Sequence, residues 1–89
     1  MTREEVTLRI RTIVREHFEK TTGTGLVDEN LRLDTNLGQD LAFDSLDNIE
    51  LVMALEDAFD IEIPDADVEN FATLGHVVDY VVTTLQVAA

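Results

Sequence analysis

The strongest constraint in this chain is a spacing. After Thr73, residues Leu74, Val77, Val78, Val81, Val82 and Leu85 fall at i, i+3, i+4, i+7, i+8 and i+11, which lines one face of a helix. Valines favour strands by propensity, but a half-buried strand needs a period of two, and that is missing here. Val6, Ile10, Ile13, Val14 and Phe18 repeat the helical spacing over roughly residues 3–20. Thr2-Arg3-Glu4-Glu5 opens that segment as a capping box, and Thr21-Thr22-Gly23-Thr24-Gly25 ends it. Between Ser45 and Phe59 a third helical pattern runs without glycine or proline, with Asp44 or Ser45 as its cap and Asp47 in its first turn. Pro64 cannot continue a helix from the preceding turn, so a short separate helix is expected from Asp65 to about Phe71. The chain has 89 residues, too few to divide in two. The expectation is one all-α domain over residues 1–89, a small bundle of three longer helices and one short helix with a long first loop. That loop reaches about Asp44, and Leu26, Val27, Leu31, Leu33, Leu37 and Leu41 are expected to pin it to the core, with a short helical turn inside it.

Composition narrows the chemistry. There is no cysteine, which excludes disulfides, iron–sulfur and thiolate zinc sites and a cysteine nucleophile. The two histidines, His17 and His76, lie far apart in sequence, and no metal site is predicted. No apolar run is long enough to span a membrane and no signal-peptide layout is present, so a cytoplasmic protein is expected. The net charge is −13 and unevenly spread: residues 1–20 carry +1, and residues 21–89 carry −14 with Arg32 as their only base. Such a surface repels nucleic acid and anionic lipid and favours proteins with basic patches. The plainer reading is that acidity only confers solubility.

The middle helix carries two apolar faces. At 100° per residue, Leu51, Val52, Leu55, Ala58 and Phe59 form its natural core face. Leu46, Ile49 and Met53 project from the other side among Glu50, Asp57 and Asp60. Either the bundle buries both sides, or the three apolar residues are exposed singly as is common, or the second stripe is a docking strip of apolar anchors rimmed by acids, with an adaptable methionine at its centre.

Ser45 stands at the head of that helix. Serine after aspartate at a helix start is ordinarily a cap. No histidine or lysine adjoins it in sequence and no nucleophile-elbow glycines flank it, which argues against a catalytic nucleophile. An exposed serine at a helix N-terminus is, however, a favourable place for a phosphoester, because backbone N–H groups and the helix dipole accept its charge.

Asp40-Leu41-Ala42-Phe43-Asp44-Ser45-Leu46-Asp47, then Glu50-Leu51-Val52-Met53-Ala54-Leu55-Glu56 and Phe59-Asp60-Ile61-Glu62-Ile63-Pro64-Asp65, together resemble an acyl carrier protein, nearest the stand-alone bacterial type of fatty-acid synthesis. The resemblance is close over about residues 37–85 and rests on pattern alone in the first helix. It implies a covalent 4′-phosphopantetheine on Ser45, with Asp44 and Leu46 beside it, and a protein that is no enzyme itself. The arm would be installed from coenzyme A by a magnesium-dependent phosphopantetheinyl transferase. Leu46, Asp47, Ile49, Glu50, Met53, Glu56 and Asp57 would then dock partner enzymes with basic patches (synthases, reductases, dehydratases and acyltransferases). A monomer carrying fatty acyl chains is expected, without nucleic acid or membrane insertion, and the inner-face residues Leu51, Leu55, Phe59, Val78 and Val82 are expected to admit the fatty chain between the helices.

Two departures from the family pattern stand out. Alanine occupies position 42, where glycine is usual, and the first loop is several residues longer than in the common form. They leave room for a carrier dedicated to polyketide, lipid A or another acyl pathway. An acidic helical adaptor without a prosthetic group is the remaining alternative. Asp65-Ala66-Asp67-Val68-Glu69 fails as a calcium loop, since its sixth position is Asn70 and its twelfth is His76. Weak divalent binding by clustered acids stays open.

Overall fold

A computed structural model describes residues 1–26 and 31–86. Four helices follow in order: α1 (Arg3–Thr22), α2 (Ser45–Phe59), α3 (Asp65–Val68) and α4 (Leu74–Leu85). α1, α2 and α4 start with reciprocal capping boxes, at Thr2/Glu5, Asp44/Asp47 and Thr73/His76. Each box satisfies two backbone donors that would otherwise lack partners at a helix start. α1 ends at Gly23, whose φ of +71° suits a residue without Cβ and whose N–H reaches the Glu19 carbonyl. No helix among the described residues is long and apolar enough to cross a membrane.

α1 packs against both α2 and α4. Val6, Ile10 and Val14 from α1, Leu51, Leu55 and Phe59 from α2, and Leu74, Val77, Val78, Val81 and Val82 from α4 share one buried cluster. The three stripes legible in the sequence are therefore the three inner faces. Charge supports the same packing. Arg3 of α1 pairs with Asp79 of α4, and the Arg9 guanidinium lies 5.7 Å from the centre of the Phe59 ring.

The first connection is pinned as expected by Leu31, Leu37 and Leu41, all buried, with Phe43 beside them. Leu26 is partly buried against the core, whereas Leu33 stays exposed, and Val27 lies outside the described residues. Its backbone supplies a second anchor that the sequence did not announce. The carbonyls of Thr35 and Leu33 accept the N–H groups of Leu74 and Gly75, the first two residues of α4, and Leu37 N–H donates to the Ala72 carbonyl. Gly75 permits this approach, because a Cβ there would sit 3.0 Å from the Leu33 oxygen. The expected helical turn is a single turn at Asn36–Asp40, closed by Asp40 N–H to the Asn36 carbonyl.

The short third helix ends sooner than expected, at Val68 rather than about Phe71. It has no side-chain cap and no fully buried residue to hold it. Asn70 and Phe71 instead bond back to Asp67 and Val68, three residues earlier, which tightens the chain out of α-helical geometry.

Candidate functional site

The segment that presents Ser45 is built from local rules. Ala42 adopts φ +58°, a left-handed conformation that costs a residue with Cβ about 1–2 kcal/mol relative to glycine. The turn needs it: Phe43 then points inward, 7% exposed, with its N–H on the Leu37 carbonyl. Asp44 caps α2 and Ser45 is the first helical residue, exposed to solvent. Asp44 accepts from the N–H of Asp47, and Asp47 accepts from the N–H of Asp44, each at 3.0 Å. The second oxygen of Asp47 meets His17 Nε2 at 2.8 Å. Its carboxyl is held below the ordinary aspartate value, first by the backbone N–H of Asp44 and next by His17.

The outer face of α2 is open. Leu46 is 63% exposed, Ile49 55% and Met53 59%, in contrast to the 0–1% of Leu51 and Leu55. Burial on both sides is thereby set aside; single exposure and a docking strip both remain consistent with these values. Glu50 and Asp57 lie exposed beside it. Two of the acids grouped with them are engaged elsewhere: Asp47 as above, and Glu56, half-buried, whose carboxylate accepts the Ile63 N–H at 2.9 Å.

A groove of about 540 Å³ runs from Ser45 between α2 and α3. Ile49, Val52 and Met53 form one wall, and Ile63, Val68 and Phe71 the other, with Glu56, Asp65 and Glu69 at its rim. None of the five residues expected to admit an apolar chain lines it. Leu51, Leu55, Phe59, Val78 and Val82 are instead packed within the closed core, and the space beside Ser45 belongs to the neighbouring α2–α3 gap. Ile63, Val68 and Phe71 were missed because they lie after the helix break, where no periodicity marks a face. Asn48, one turn along from Ser45, also lines the groove, and its buried side-chain oxygen has no hydrogen-bond partner among the described residues. An amide-bearing chain laid along this groove could satisfy that oxygen, and the exposed Ser45 hydroxyl leaves its point of attachment accessible.

The sequence also missed His17. Its side chain, 10% exposed, lies between two carboxylates of α2, with Asp47 at Nε2 and Glu50 3.6 Å from Nδ1. Its ring meets Phe43 edge-on, with centroids 5.2 Å apart. These three groups are the only set among the described residues whose donor atoms gather closely enough to hold a metal ion, all within 4.8 Å. The two carboxylates face different ring nitrogens, however, which makes the arrangement a bridge between helices rather than a convergent cage.

Comparison with known proteins agrees with this geometry. Residues 10–81 match the family model described as the phosphopantetheine attachment site. The chain is 43% identical over 81 residues to an acyl carrier protein of Prochlorococcus marinus (strain MIT 9515), covering 91% of this chain and 94% of that one. A solved structure of acyl carrier protein from Enterococcus faecalis superposes with a TM-score of 0.76 at 37% identity, covering 94% of this chain and 99% of the other. The chain therefore belongs to the acyl carrier protein family, built on a phosphopantetheine attachment domain.

Proposed function

We propose that Ser45 is the residue that carries the 4′-phosphopantetheine arm and that the outer face of α2 presents the loaded protein to its partner enzymes. The observation that supports this most is the pairing of an exposed serine, first in its helix, with an amphipathic groove that begins at the same residue. The arm supplies a terminal thiol, on which acyl groups travel as thioesters. The chain's own residues supply position. The Asp44/Asp47 box fixes the first turn of α2 and leaves the Ser45 hydroxyl outward. Leu46, Ile49 and Met53 offer apolar anchors, and Glu50 and Asp57 a negative rim for basic enzyme surfaces.

On this reading the protein catalyses nothing itself and serves fatty-acid synthesis in the cytoplasm, loaded by a phosphopantetheinyl transferase. Peptide mapping by mass spectrometry of protein purified from its native host tests the assignment. The arm is expected on the peptide containing Ser45; protein that is wholly unmodified, or modified elsewhere, refutes it. Acyl chains of increasing length should shift the NMR signals of Val52, Ile63, Val68 and Phe71 if the groove shelters them. Shifts confined to Leu51, Leu55, Val78 and Val82 would return the chain to the closed core.

A further inference from the structure

One side chain of α1 touches both flanks of Ser45. His17 meets Phe43 two residues before the serine, Asp47 two residues after it and Glu50 on the following turn. The charged groups facing the imidazole are Asp47 and Glu50 from α2, and Glu16 and Lys20 of α1 share the recess into which it opens. Asp47 is the hinge of the arrangement. One of its oxygens completes the cap of α2 and the other takes His17, so any movement of α1 against α2 is felt at the turn that presents the serine.

We propose that His17 is a positioning residue for the modification of Ser45, holding the 43–47 segment in the geometry the transferase requires by clamping Asp47 against α1. This rests on Ser45 being the attachment site. His17 touches neither the serine nor the incoming group. It removes the freedom of the turn before the enzyme arrives, and a reacting hydroxyl displaced by about 1 Å loses on the order of 100-fold in rate.

The test is a double-mutant cycle on the rate at which the purified full chain is loaded from coenzyme A by a phosphopantetheinyl transferase, at a temperature where circular dichroism shows each variant folded. H17L should load about tenfold more slowly, and H17Q, which keeps an amide donor within reach of Asp47, should recover most of the rate. D47A has no side-chain acceptor and can neither cap Asp44 nor receive His17; adding H17L to it should cost little more. Equal loading of H17L and wild type overturns the proposal. So does a tenfold loss by H17L that persists undiminished beside D47A, because His17 would then act independently of Asp47. If the wild type itself is never loaded, it is the assignment of Ser45 that fails, and the His17 role falls with it.

Discussion

The two faces of α2 are built from the same kinds of residue and differ in what covers them. Leu51 and Leu55 look inward at 0–1% exposure, whereas Leu46, Ile49 and Met53 look outward at 55–63%. Inner apolar area is removed from water by α1 and α4, so it stabilises the fold. The outer residues gain little from folding and remain available to a partner. One helix thus sets its buried residues and its proposed docking residues about half a turn apart.

The largest expected effect tests the inner face. Leu55→Ala should destabilise the domain by about 2–5 kcal/mol through lost burial and a cavity. Ile49→Ala and Met53→Ala should each stay within about 0.5 kcal/mol of wild type. Denaturant melts measure both. Comparable losses on the two sides would erase the distinction between the faces.

Next comes the outer face in function. Asp57→Lys should slow acyl loading by partner enzymes several-fold at low salt, leave the melt nearly unchanged, and lose its effect as ionic strength rises. Asp57 is a cleaner probe than Glu50, which also faces His17. Unchanged kinetics at every salt concentration would leave the exposed stripe without a docking role.

Asp47 belongs to both tasks, and pH separates them. Its folded-state pKa is depressed by the Asp44 N–H and by His17. The stability it contributes is therefore present above the unfolded carboxylate value of about 3.9 and disappears as pH falls through the lower folded value. The stability difference between wild type and Asp47→Asn should shrink as pH falls below about 5. Comparing the two proteins cancels the general relief of acidic repulsion. A difference that persists undiminished to the lowest pH at which both proteins fold would mean that the cap does not depend on the carboxylate.

The smallest effect lies outside both faces. Ala42→Gly should stabilise by about 0.5–1 kcal/mol, because glycine adopts the φ of +58° without the Cβ penalty. A destabilisation would show that the methyl group contributes more than the conformation costs.

What the sequence conveyed follows from what periodicity encodes. Spacing along one helix identifies its faces, so α2 was legible to the residue and α4 began where Thr73 caps it. The open stripe at Leu46, Ile49 and Met53 was visible as a surplus, and the structure shows that the bundle does not bury it. Contacts between distant segments leave no such trace. His17 and Asp47 are thirty positions apart, and nothing in either neighbourhood announces the other. The groove went unseen for the same reason: apolar spacing shows which side chains turn inward, and the gap left between α2 and α3 depends on how the chain resumes after Pro64. Ala42 was noticed only as a departure from a family pattern, and its backbone angle supplies the reason glycine would suit that position.

The central claim is that Ser45 bears the arm. Purified protein incubated with coenzyme A, magnesium and a broad-specificity phosphopantetheinyl transferase should gain the mass of one 4′-phosphopantetheine, and Ser45→Ala should gain none. A wild type that gains nothing under conditions that load a known carrier, or a Ser45→Ala protein that is still modified, would contradict it.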